Sequence, residues 1–225
     1  MNLQGRVALV TGAAPSIGRA VCLALARAGA SVIAIDLDRE ALDETAAEVE
    51  AAGGRVETVA GDASREATFE YAVEHALRTF GRIDILVNHA AVEAPCADFG
   101  GCPVAEFDRM MAVNVRGTFL GLKHVLPRLV EQRSGAIVNF SSAADGDEDA
   151  AGGPYAASRQ AVLGLTRAAA VEAAPAGVRV NAICLDGGGH SGCPDEVAEV
   201  VCFLASPWTS ANGAVWSLEA GQLVS

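Results

Sequence analysis

Tyr155-Ala156-Ala157-Ser158-Arg159 sets a phenol four residues ahead of a guanidinium, at the start of an apolar helical run. Residues at that spacing lie on one helix face about a turn apart, so the two groups share one region of space. A fixed positive charge beside a phenol favours phenolate, which makes Tyr155 a candidate acid/base near neutral pH. Ser142 lies a short distance upstream and offers a hydroxyl that could hold a substrate oxygen beside that phenol. The chemistry expected of this set is proton transfer at a hydroxyl or carbonyl oxygen.

Such a set needs a scaffold, and the chain reads as strands alternating with helices. Arg6–Thr11 is a short apolar run ended by glycine, the pattern of a buried parallel strand. Gly12 to Gly18 forms a turn, Ala20–Ala28 a helix closed by Gly29, and Ser31–Asp36 the next strand. Helix Arg39–Ala52, strand Arg55–Ala60, helix Arg65–Phe80 and strand Ile83–Val87 continue the alternation. A long helix is expected over Val104–Gln132, interrupted near Gly117 and Pro127. Strand Gly135–Phe140, helix Tyr155–Ala174, strand Val178–Cys184, helix Pro194–Ala205 and strand Ala214–Leu218 complete the chain. This order predicts an α/β fold: one doubly wound, mostly parallel seven-stranded sheet, order 3-2-1-4-5-6-7, with helices on both faces. No composition shift marks a second domain, so residues 1–225 are expected to form one.

The net charge of −12 argues against nucleic acid and anionic membranes as partners. No uninterrupted apolar run is long enough to span a bilayer, and the segment before the first strand is too short for a signal peptide. Six cysteines, at 22, 96, 102, 184, 193 and 202, show no C-x-x-C pairing, which fits a reduced cytoplasmic compartment. His190 and Cys193 have a metal-like spacing without a second pair, so no metal is expected. Asp145–Asp149 is an acidic loop between Ser142 and Tyr155, read as a solvated segment or as a negative rim to the site.

The glycine-rich turn after the first strand, with Asn114, Ser142 and Tyr155 in that order, resembles the short-chain dehydrogenase/reductase family across nearly the whole chain. The resemblance implies a Rossmann-type fold and hydride transfer between a nicotinamide and an alcohol or carbonyl carbon, with Tyr155 carrying the proton. It implies a substrate-orienting role for Ser142, and a water-holding helix asparagine in Asn114. Thr11-Gly12-Ala13-Ala14-Pro15-Ser16-Ile17-Gly18 occupies the family's Thr-Gly-x-x-x-Gly-x-Gly turn, where backbone approaches a pyrophosphate at a helix N-terminus. The expected cofactor contacts are therefore Gly12, Ser16, Ile17 and Gly18. Asp36 ends the second strand, where a carboxylate can bind the adenosine ribose hydroxyls and repel a 2′-phosphate, so NAD is preferred over NADP. Asp62 and Ala63 match the adenine-contacting segment, and Asn88 and Ala90 match the family's Asn-Asn-Ala-Gly. Relatives pair through the helices around Asn114 and after Tyr155. A homodimer or homotetramer is accordingly expected, with a hetero-oligomer of related chains as the alternative.

Several positions depart from the family pattern. Arg159 stands where the family has lysine, Ser16 where it has the middle glycine, and His89 and Ala91 where it has asparagine and glycine. The family's mobile lid after the sixth strand is nearly deleted, with Leu185 to Gly192 leading straight into Pro194. Three readings stay open. The leading one is an NAD(H)-dependent alcohol dehydrogenase or carbonyl reductase. The second is a cofactor-independent lyase, since Ser142, Tyr155 and Arg159 match the Ser–Tyr–Arg arrangement of halohydrin dehalogenases. The third is a catalytically impaired subunit or scaffold.

Overall fold

The computed structural model describes residues 1–14, 16–93, 98–142, 152–185, 193–219 and 222–224. The acidic run 145–149, the lid segment 186–192 and His190 lie outside the described residues.

Short β-branched runs bounded by glycine and charged turns form the strands β1 (Val7–Thr11), β2 (Ser31–Asp36), β3 (Arg55–Ala60) and β4 (Ile85–Asn88). They are followed by β5 (Gly135–Ser142), β6 (Val178–Leu185), β7 (Val215–Glu219) and β8 (Gln222–Val224). The helices between them are α1 (Ser16–Arg27), α2 (Arg39–Ala51), α3 (Glu66–Phe80), α4 (Val104–Met110), α5 (Gly117–Gln132), α6 (Gly153–Ala173) and α7 (Pro194–Ala205). The sheet order is β3-β2-β1-β4-β5-β6-β7-β8. The seven expected strands pair in parallel in the expected order, and β8 adds an antiparallel edge beyond β7.

Both faces of the sheet are covered, and strand periodicity divides the core between them. Ala8 and Val10 pack with Val21, Leu25, Val201 and Leu204 of α1 and α7, while Leu9 packs with Val125, Leu129 and Val180 on the other side. A polar thread crosses this core. Asn88 Nδ2 donates to Asn139 Oδ1 at 2.9 Å, and Asn139 Nδ2 donates to Thr166 Oγ1 at 2.9 Å. This ties β4 through β5 to α6, with each amide nitrogen buried but bonded.

The helix expected over Val104–Gln132 is three pieces. A π-helical segment, Met111–Arg116, joins α4 to α5, and Asn114 sits inside it fully buried. The break falls at Gly117 as expected, whereas Pro127 is accommodated within α5. Single π turns interrupt helices where a side chain must be re-aimed. No helix among the described residues is long and apolar enough to cross a membrane.

Candidate active site

The strand order reverses direction between β1 and β4, and a crevice opens there outside the carboxyl ends of the strands. It is a cleft of about 560 Å³. At one end its wall carries Asp36, Asp62 and Ala63, and at the other Tyr155 and Arg159. Gly12, Ser16 and Ile17 form its floor beside His89 and Ala90.

The helical spacing of Tyr155 and Arg159 produces direct contact. Arg159 Nε donates to the Tyr155 hydroxyl oxygen at 3.1 Å, and the guanidinium lies 5.1 Å from the ring centroid. Both side chains are buried, at 4% and 7% exposure. Among the described residues Arg159 has no carboxylate partner, and its remaining N–H groups make no hydrogen bond. A buried guanidinium without a counter-charge is costly, so such an arrangement is expected to meet polar ligand atoms in the cleft. The bond from Nε supports the negative charge the phenol oxygen carries once its proton has left. The phenolic proton itself has no acceptor among the described residues.

Asn114 and Ser142 are placed differently from Tyr155. The Asn114 amide is fully used: Oδ1 accepts from Val92 N at 2.8 Å, and Nδ2 donates to Val92 O at 2.9 Å and Ser158 Oγ at 3.0 Å. Its carbonyl accepts from Thr118 Oγ1 at 2.8 Å. Asn114 therefore fastens Val92, a cleft-wall residue, to the second turn of α6, and does not itself line the cleft. The Ser142 hydroxyl donates to Leu185 O at 3.1 Å and Ser142 is not among the cleft-lining residues; Phe140, Ser141 and Leu185 are, with the Ser141 hydroxyl donating to Arg159 O at 2.9 Å. The Ser142 hydroxyl is thus not brought into hydrogen-bond contact with Tyr155 in this conformation.

At the other end, Asp36 Oδ2 accepts from Ala14 N at 3.1 Å and Oδ1 accepts from Asp38 N at 3.3 Å. The carboxylate braces the turn and still has lone pairs facing the cleft. Asp62 Oδ1 accepts from Ser64 N at 2.8 Å, holding Ala63 in the wall. Gly12 has φ +67°, and a Cβ there would meet Ala90 Cα at 2.8 Å, so only glycine fits. Gly18 lies in α1 behind the cleft, where a Cβ would overlap the Gly12 carbonyl. Ser16 takes φ +43°, a left-handed conformation at the family's glycine position, and its side chain lines the cleft. Asn88 lies beneath the cleft within the polar thread, as a strand-end structural amide.

His89 replaces the asparagine of the family pattern as a local hydrogen-bonding group. Its Nδ1 lies 2.9 Å from Gly12 O, and its ring meets Phe140 edge-to-face with centroids 4.9 Å apart. Burial, and the Arg159 charge with it, hold its pKa below the ordinary histidine range, against the Gly12 bond and Asp36, which favour the charged ring.

A match to the short chain dehydrogenase family runs over residues 6–188. The chain belongs to that family. It is 33% identical over 247 aligned positions to the 3-oxoacyl-[acyl-carrier-protein] reductase FabG of Thermotoga maritima, covering 100% of each chain. Its fold superposes on the crystal structure of NAD⁺-bound xylitol dehydrogenase with TM-score 0.89 at 28% identity, covering 98% of this chain and 100% of that one. It superposes equally on the 3-ketoacyl-(acyl-carrier-protein) reductase from Brucella melitensis complexed with NADH, with TM-score 0.88 at 31% identity over 98% and 99%. These relatives are oxidoreductases, and the two structures hold nicotinamide cofactors. Residues of this short-chain dehydrogenase that line the cleft outside the family motifs include Leu37, Val92, Phe140, Ser141 and Leu185. Their only sequence signal is position at or just beyond a strand's carboxyl end.

Proposed function

We propose that this short-chain dehydrogenase is an NAD(H)-dependent oxidoreductase that interconverts an alcohol and a carbonyl compound. The observation that carries this is one cleft joining a buried Tyr155–Arg159 hydrogen bond to Asp36 through a turn in which Gly12 admits no side chain. The residues fit a dinucleotide. The backbone at Gly12 and the start of α1 leave room for a pyrophosphate beside Ile17. Asp36 presents a carboxylate suited to ribose hydroxyls and unsuited to a 2′-phosphate, which is the basis for NAD over NADP. Asp62, Ala63 and Ala90 complete the adenosine side, with Asn88 and Gly18 supporting the wall from behind.

A bound nicotinamide would supply or take the hydride. Tyr155 donates its proton to the carbonyl oxygen in reduction and removes it in oxidation. Arg159 holds the phenol oxygen through Nε while that oxygen is without its proton. Ser142, after rotating its hydroxyl from Leu185 O, is the group available to orient the substrate oxygen, while the Ser141 hydroxyl is held by the Arg159 carbonyl at 2.9 Å. Asn114 keeps Val92 and α6 in register. The shortened lid is consistent with the alignment to FabG, which covers this 225-residue chain fully over 247 positions, so the relative carries residues that this chain lacks. A lid shortened in sequence is expected to admit water more freely, and bulky substrates with it. Exposed Phe119 on α5 and Val171 on α6 support a homodimer or homotetramer formed through those helices, testable by light scattering.

The deciding experiment is equilibrium titration with NADH and NADPH. NADH binding with NADPH much weaker supports the reading. Binding of neither removes the dinucleotide and leaves the Ser–Tyr–Arg lyase or a non-catalytic subunit.

A further inference from the structure

The segment after β4 is fastened along its backbone. Asn114 holds both the N–H and the carbonyl of Val92, and Arg109 Nη2 donates to Glu93 O at 2.9 Å. Val92 packs against the buried pair of Tyr155 and Met110, so Glu93 is fixed one residue along from a side chain in the phenol's own cluster. Glu93 is exposed and lines the same cleft as Tyr155. Arg109, the cation that holds its carbonyl, directs Nε to Glu106 Oε2 at 2.9 Å and not to the Glu93 carboxylate. Among the described residues no cation or donor meets that carboxylate. The other two carboxylates of the cleft, Asp36 and Asp62, accept backbone N–H bonds at the far end.

The substrate side of the cleft thus carries opposite charges on two elements, Arg159 behind the Tyr155 oxygen on α6 and Glu93 on the segment after β4. Val92, Val113, Phe140 and Leu185 supply apolar wall. A substrate carbonyl gains negative charge as hydride arrives, and the Tyr155–Arg159 pair meets that charge. We propose that Glu93 is a specificity-determining residue that selects amino ketones and amino alcohols, substrates with a cationic nitrogen, over neutral and anionic ones. This rests on the oxidoreductase reading above. The oxygen of such a substrate lies at Tyr155, its alkyl arm against the apolar wall and its cationic nitrogen at Glu93. A carboxylate or phosphate on the same arm would set like charges together, which disfavours it. The net charge of −12 acts in the same direction, drawing cations towards the protein.

The test pairs turnover with binding on the full chain. NADH consumption is followed with methyl ketones that carry a trimethylammonium group on alkyl arms of increasing length. Their uncharged isosteres with tert-butyl in its place, and keto acids of matching length, complete the series. Calorimetry measures binding of the same compounds independently of turnover. Wild type should prefer the best ammonium ketone over its isostere by about two- to fivefold in kcat/KM and in affinity, the range of one solvated ion pair, with the keto acid poorest. Glu93→Gln should abolish that preference and strengthen keto-acid binding, and Glu93→Lys should reverse the order. Asp108→Asn, which removes an exposed carboxylate of α4 outside the cleft, should keep the wild-type order. The proposal is refuted if wild type treats the three classes alike, or if Glu93→Gln weakens all three by one factor. It is equally refuted if Asp108→Asn loses the preference as Glu93→Gln does, since overall charge would then be the selector. Each of these failures leaves NADH turnover intact. Binding in the expected order without NADH consumption would instead overturn the oxidoreductase reading and keep Glu93 as the group that selects cations. Neither binding nor turnover would overturn both.

Discussion

Asp36→Ala separates two roles that one carboxylate holds. In the unliganded cleft Asp36 braces the turn through Ala14 N at 3.1 Å and Asp38 N at 3.3 Å. Losing the Ala14 bond leaves a part-buried N–H unpaired and costs about 1 kcal/mol of turn order, which weakens any dinucleotide about fivefold. NADH additionally loses hydrogen bonds from ribose hydroxyls to an ionised acceptor, about 1.5–3 kcal/mol, so its total loss is about 50- to 1000-fold. NADPH loses the turn contribution but is relieved of carboxylate–phosphate repulsion. For like charges about 4 Å apart that repulsion is about 4 kcal/mol at an effective dielectric constant of 20, reduced to about 1–2 by solvent at this half-exposed site. NADPH affinity should therefore hold steady or rise, and the NADH preference should fall by about two to three and a half orders of magnitude. Fluorescence titration of both cofactors against wild type and variant measures the ratio. If both weaken by the same factor, Asp36 acts on the turn alone and does not select the cofactor.

Ser16→Gly relieves a left-handed residue at φ +43°, about 1–2 kcal/mol, against about 0.4–1 kcal/mol of added unfolded-state entropy. Thermal scanning should show Tm rising by about 1–3 °C with tighter NADH binding, and a fall in both would mean that the serine side chain itself holds the turn. At the amino ends of the central strands β1 and β4, Asp84 is 2% exposed and accepts from Arg6 Nη1 at 2.7 Å, Arg82 Nη2 at 2.6 Å and Val7 N at 3.0 Å. Burial alone would raise its pKa, but Arg82, Arg6 and the Val7 N–H outweigh burial and hold it below the usual carboxylate range. Its stabilisation is therefore complete above the unfolded-state value near about 4 and is lost as pH falls through the lower folded value. Asp84→Asn should cost about 2–3 kcal/mol, lowering Tm by about 4–12 °C at neutral pH, with the deficit shrinking on acidification. A deficit independent of pH would show that packing, not charge, is what Asp84 supplies.

The sheet was legible because its strands are nearly all buried on both faces and read as continuous apolar runs, such as Val7–Thr11 and Ser31–Asp36, punctuated by glycine. Tyr155 and Arg159 were legible because a helix fixes the relation of residues four apart. What escaped the sequence depends on tertiary contacts. The π segment around Asn114 has no compositional mark; it is defined by Val92 and Ser158 meeting the amide from outside the helix. Ser141 and Ser142 differ by one residue at a strand end, and pairing with β6 decides which hydroxyl meets Leu185 O. The left-handed Ser16 follows from a family turn laid over a residue that disfavours it. The edge strand β8 is three residues long, too short for a periodicity to register.

The central claim is that Tyr155 moves the proton in a nicotinamide-dependent reduction. Nicotinamide absorbance, followed while wild type and Tyr155→Phe act on a panel of ketones and aldehydes, tests it most directly. The account predicts NADH consumption by wild type and a loss of about 10²- to 10⁴-fold in kcat for Tyr155→Phe, with NADH affinity within about threefold. Turnover by Tyr155→Phe at the wild-type rate would contradict it.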